Sequence, residues 1–196
     1  MSRAGASYLE EAVEVVRSGG VVAVATDTLV GLLALATSAE SVARVVAIKG
    51  PERQSPIPVL VPHLDVVLDL VEDFPAEARA RAAAEWPGAV TIVLSARSGL
   101  PQALTAGLPT VGLRLPGPSP ALDLVRAVSA PLTGTSANRT GSPAVAATAD
   151  LDPEVAAAVD LVWPSESPLG TPSEVVDFTG EAPRVIRPGP DREPPR

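Results

Sequence analysis

The sequence predicts an α/β or α+β domain built around a mixed sheet. Three observations lead there. Short apolar strands alternate with amphipathic helices early in the chain, and strands dominate later. Apolar residues make up 46%, yet only five aromatics occur (Tyr8, Phe74, Trp86, Trp163 and Phe178), so the core must consist mainly of Val, Leu and Ala. At 196 residues the chain can bury such a core without metal or disulfide help. One domain is expected over 1–190, with 191–196 a mobile Pro/Arg tail that cannot bury anything.

The elements follow in order. Residues 7–18 carry Leu9, Val13 and Val16 on one helical face, with Ser7 and Glu10 as a capping box and Gly19-Gly20 as the stop. VVAVA (21–25) reads as a buried strand. TDTLVGLLALAT mixes polar and apolar residues too irregularly to define an element. Ser38 then caps a helix over 39–48 that delivers Lys49 at its end. IPVLV (57–61) is a strand, with Pro58 favouring an edge or a strand start. Helices are expected over 63–71 and 75–85, strands over 89–96, 110–115 and 131–135, and a helix over 122–128 between the last two strands. A polar loop (136–143) leads into an Ala-rich helical stretch over 144–159. Strands at 161–163, 174–178 and 184–187 finish the fold.

Composition excludes whole classes of chemistry. There is no cysteine and a single histidine, His63, so thiol nucleophiles, disulfides and His-based metal clusters are out. A formal net charge of −8 argues against broad, sequence-independent nucleic-acid binding, while leaving room for a local basic pocket. No apolar run reaches the roughly 20 residues that cross a bilayer, and the N-terminus has no signal core. A soluble, cytoplasmic protein without membrane contact is expected.

The remaining candidates are hydroxyls, carboxylates, arginines and one lysine. Thr26-Asp27-Thr28 leaves a buried strand, either as a ligand-binding loop or as a turn in which Asp27 bonds its own backbone. Arg114 sits inside an apolar strand, where it must pair with a carboxylate or point into a cleft. Ser136 and Asn138 lie in a glycine-flanked turn that either cradles a phosphate or satisfies itself. Arg187 ends the last strand. Lys49 is the only lysine among fifteen basic residues. It is either a helix-end cation, a role arginine would serve equally, or a point charge on phosphate or carboxylate, towards which the retained lysine leans.

Taken in order, these segments resemble the YrdC/Sua5 family, the L-threonylcarbamoyladenylate synthases. The strand-loop signature appears as Thr26-Asp27-Thr28-Leu29-Val30-Gly31-Leu32 and the lysine segment as Ile48-Lys49-Gly50. Trp86-Pro87-Gly88-Ala89-Val90-Thr91, Thr110-Val111-Gly112-Leu113-Arg114-Leu115-Pro116 and Ser136-Ala137-Asn138-Arg139-Thr140-Gly141 follow. Ser173-Glu174-Val175-Val176-Asp177 and Arg187-Pro188-Gly189 close the set. The resemblance implies a twisted mixed sheet with flanking helices around a concave pocket. It also implies formation of L-threonylcarbamoyl-AMP from L-threonine, bicarbonate and ATP with Mg²⁺, a nucleotidyltransferase reaction that feeds a separate tRNA threonylcarbamoyl transferase. Thr28, Arg114 and Ser173 would hold threonine. Lys49, Thr110, Ser136, Asn138 and Arg187 would face ATP, with Lys49 and Arg53 acting in catalysis. The resemblance implies the short, single-domain form of the family.

Four positions depart from the family pattern. Pro51 stands where an arginine is expected, Ser55 replaces a Lys or Asn, and Val30 replaces the signature tyrosine. Glu174 brings a carboxylate towards a pocket for anions. Two main readings result: a working synthase in which Arg53 replaces the missing arginine, or a divergent relative that binds nucleotide, amino acid or RNA without synthase activity. A site serving a different acceptor is a third. A weak tRNA contact is compatible with the first two.

Overall fold

The computed structural model describes residues 3–52 and 55–190. The chain opens with helix α1 (Arg3–Arg17), followed by strands β1 (Val22–Ala25) and β2 (Val30–Leu33) and helix α2 (Ala39–Lys49). Then come β3 (Val59–Leu60), α3 (Val67–Leu70), α4 (Ala76–Glu85), β4 (Val90–Ser95), α5 (Gln102–Thr105), β5 (Thr110–Arg114) and α6 (Pro120–Val128). The last third holds β6 (Leu132–Thr133), β7 (Thr135–Ser136), α7 (Pro153–Ala158), β8 (Leu161–Val162), β9 (Glu174–Asp177) and β10 (Arg184–Arg187). One-turn 3₁₀ helices at Leu64–Val66 and Thr148–Asp150 complete the set.

Two mixed sheets form instead of one. Their orders are β7-β2-β1-β8 and β10-β9-β4-β5-β3-β6. The chain passes from the second to the first at Gly134, between β6 and β7. A Cβ there would lie 2.7 Å from Leu60 side-chain atoms, so only glycine lets the backbone cross. Thr133 stitches the sheets together. Its N–H donates to Ala34 O at 2.8 Å, its hydroxyl donates to Leu32 O at 2.8 Å, and its Oγ1 accepts from Ala34 N at 3.0 Å.

Helices α1 and α6 cover one face of β1, burying Ala12, Val16, Leu124 and Val125 against Val22, Val24 and Trp163. On its other face Val21 and Ala23 join a larger core with Val30, Leu32, Ile92 and Leu113. Burial on both faces explains why β2 has no alternating pattern: all four of its residues are buried. The hairpin that pairs β1 antiparallel with β2 is closed by Thr26. Its N–H and hydroxyl both donate to Leu29 O, at 3.0 and 2.8 Å, and its hydroxyl oxygen accepts from Leu29 N at 3.2 Å.

Several expectations need correction. Helix α1 starts at Arg3, so Ser7 lies within it and caps nothing. Gly19 and Gly20 do end it, through bonds from Gly19 N to Val16 O and from Gly20 N to Val15 O. Pro58 precedes a strand lying between β5 and β6, so it marks a strand start and not an edge. The Ala-rich stretch is helical only over Thr148–Asp150 and Pro153–Ala158. Pro153 restarts it at the first helical position, with Asp152 as N-cap. Arg53 and the tail 191–196 lie outside the described residues. Among the described residues no helix is long and apolar enough to cross a membrane.

Candidate active site

The two sheets and the end of α2 enclose a cavity of about 790 Å³. Thr28, Lys49, Thr110, Arg114, Ser136, Asn138, Ser173 and Arg187 all line it, so every candidate within the described residues converges on one space. Its charged lining residues are Lys49, Arg114 and Arg187, and none of its described lining residues is a carboxylate.

On one wall, β5 delivers Arg114, only 5% exposed. Its Nε donates to Gly88 O at 2.8 Å, Nη1 to Thr28 Oγ1 at 2.9 Å and Nη2 to Asp27 Oδ1 at 2.5 Å. Asp27 is therefore the counter-ion of Arg114 and not a self-bonded turn residue; Thr26 makes the turn. Burial pulls the Arg114 guanidinium below its ordinary value, against the attraction and hydrogen bond of Asp27. Three of the five guanidinium donors are committed to these partners, which fixes the plane of the group.

Next to it, Ser173 Oγ sits 3.0 Å from Thr91 Oγ1 and accepts from Arg187 Nη2 at 3.2 Å, while Arg187 Nε donates to Ser173 O at 2.9 Å. Arg187 lines the cavity as an exposed residue whose guanidinium is held against Ser173. Desolvation first, and then repulsion from Arg114, lower its pKa. Thr91 is a pocket residue that the sequence flagged only as part of a motif.

The opposite wall is the turn after β7. Lys49, 7% exposed at the C-terminal end of α2, donates from Nζ to Ser136 O at 2.8 Å and to Asn138 Oδ1 at 3.0 Å. Ser136 Oγ donates to the same amide oxygen at 2.5 Å, and Asn138 Nδ2 donates to Ser142 O at 2.6 Å. Gly50 (φ 87°) ends the helix so that Lys49 O can accept from Thr140 N at 2.9 Å. A compact ammonium reaches two oxygens in this confined space, where a planar guanidinium has a wider fork to seat.

Residues 14–189 match the family model Sua5_yciO_yrdC, described as telomere recombination. The chain belongs to the Sua5/YciO/YrdC family. A Mycobacterium tuberculosis relative that carries the provisional name threonylcarbamoyl-AMP synthase is 38% identical over 183 residues, 91% of this chain and 82% of that protein. The Bacillus subtilis threonylcarbamoyl-AMP synthase is 32% identical over 92% of this chain and 53% of its own length. The crystal structure of Pyrococcus abyssi Sua5 complexed with L-threonine superposes with a TM-score of 0.85 at 30% identity, over 92% of this chain and 54% of that one. This Sua5-family chain thus spans about half the length of the Bacillus and Pyrococcus proteins.

The departures sort out in space. Val30 and Ser55 line the cavity, whereas Pro51 is exposed and does not. Glu174 points away. It is 2% exposed and ion-paired with Arg81 of α4, because β9 alternates and sends Val175 to the cavity and Glu174 behind it. The carboxylate expected to approach the anion pocket is therefore on the far side of the sheet.

Proposed function

We propose that this chain is an L-threonylcarbamoyladenylate synthase, forming L-threonylcarbamoyl-AMP and pyrophosphate from L-threonine, bicarbonate and MgATP. The observation that carries the reading is the convergence of three cations and no described carboxylate on one cavity of a chain whose net charge is −8. Such a site suits anionic ligands held by several charge-assisted bonds. The family relatives named threonylcarbamoyl-AMP synthase, and the Pyrococcus structure with L-threonine, support the substrate assignment.

In this reading Arg114, oriented by Asp27 and Gly88, binds the threonine carboxylate, and Thr28 and Ser173 supply hydroxyls beside it. Lys49, Thr110, Ser136, Asn138 and Arg187 face the nucleotide. Mg²⁺ belongs to the MgATP substrate. The threonine amine takes up carbon dioxide from bicarbonate, releasing water, to give a carbamate. A carbamate oxygen then attacks the α-phosphorus, a new P–O bond forms, and the bond to pyrophosphate breaks. Lys49 and Arg187 neutralise charge gathering on the leaving group. Positioning and electrostatics suffice for such a transfer, and no thiol or imidazole is required. The product would pass to a separate tRNA threonylcarbamoyl transferase.

Pyrophosphate release, followed with and without threonine and bicarbonate, tests the proposal. Release that depends on both, with the carbamoyl-adenylate seen by mass spectrometry, is the expected result. Absence of threonine-dependent release from folded protein would leave only a nucleotide- or amino-acid-binding relative.

A further inference from the structure

Helix α2 ends at Gly50, and Pro51 offers no charge two residues beyond Lys49. The space over that helix end is not empty of cations. A Cβ on Gly50 would stand 3.8 Å from Arg139 Nη2. Arg139 itself lies between Asn138 and Thr140, which both line the cavity, in a segment tied to Lys49 through Asn138 Oδ1 and Thr140 N. It stands just outside the lining, where its Nη1 donates to Glu154 Oε2 at 2.5 Å. The two side chains are 49% and 73% exposed, and a pair so open to water contributes little and is given up readily.

We infer that Arg139 is a further nucleotide-binding cation: on MgATP binding it exchanges Glu154 for a phosphate oxygen and supplies the charge absent at Pro51. This rests on the nucleotide part of the proposed function. Three features favour the exchange. The partner it leaves is an exposed carboxylate, the cavity it enters has no described carboxylate to compete for it, and its backbone is already anchored beside Lys49. A guanidinium can also grip a phosphate through two parallel N–H bonds, which a rim ion pair does not need. Arg53, outside the described residues, is the rival for the same role.

The test is equilibrium binding of MgATP, and separately of L-threonine, to wild type and to Arg139→Gln, Glu154→Gln and Arg53→Gln, with melting temperatures as a folding control. Arg139→Gln should weaken MgATP binding about tenfold and leave threonine binding unchanged. Glu154→Gln, which removes the competitor, should tighten MgATP binding by about twofold. Wild-type affinity in Arg139→Gln, with loss only in Arg53→Gln, would assign the role to Arg53 and overturn the inference. Equal weakening by Arg139→Gln and Glu154→Gln would reduce the pair to a loop fastener and overturn it too. If wild type bound no MgATP, the nucleotide reading itself would fall, a result distinguishable from all of these.

Discussion

Asp27 decides what Arg114 can do. A guanidinium buried to this depth needs a fixed counter-charge, and Asp27 supplies it from the β1–β2 hairpin while the described lining of the cavity holds no carboxylate. Asp27→Ala strands the cation and is expected to cost about 3–5 kcal/mol of unfolding free energy, read from urea titrations, whereas Asp27→Asn keeps the shape and should cost less. Much of this site was legible in the sequence. An arginine inside TVGLRL, a lysine in an otherwise arginine-only chain and hydroxyls after strand ends are chemically conspicuous, and each reached the cavity. Asp27's partner was not legible, because the pair joins residues 87 positions apart. Glu174 is a different case: its place in the motif sets it beside the pocket, whereas the period-two alternation of β9 turns it away.

At the level of elements, local rules hold best where cap and stop residues flank a helix. Helix α2 shows its Ser38 cap and its glycine stop plainly, with Ser38 Oγ accepting from Ser41 N at 3.2 Å. Strand β2 stayed hidden because full burial erases alternation, and the Ala-rich stretch misled because alanine favours helix wherever proline does not intervene. The turn at Gly134 is likewise invisible in the sequence, since its requirement comes from Leu60, far along the chain. Gly134→Ala should destabilise the protein by about 1–3 kcal/mol, measured by chemical denaturation, because the new methyl must displace Leu60 from a packed seam.

Across the whole molecule, Asp160 fastens the N-terminal half to the C-terminal half. It accepts from Val21 N at 2.7 Å and pairs with Arg44 at 2.8 Å. The Arg44 hydrogen bond, with the Val21 N–H, holds its carboxyl below the ordinary 3.8 in spite of partial desolvation. A depressed folded-state value means that the stability it contributes is fully present above the unfolded pKa and is lost as pH falls through the folded one. Asp177 adds to the same limb: its desolvation alone would raise the value, but the bonds from Thr179 and Arg184 together bring it below the ordinary one. Melting temperature should therefore fall on acidification below about pH 4, and Asp160→Asn should flatten that fall while lowering the plateau at neutral pH.

The break at Gly134 has a mechanical consequence. Ser136 and Asn138 stand on or beside the four-stranded sheet, with Lys49 bonded to both from the end of α2, and Arg114, Ser173 and Arg187 stand on or beside the six-stranded one, with the seam line at Thr133 and Gly134 between the sheets. Any molecule long enough to touch both groups becomes a strut across that line. Occupancy of the cavity and cohesion of the plates are then the same free energy seen twice, about 2.7 kcal/mol at a hundredfold excess over Kd.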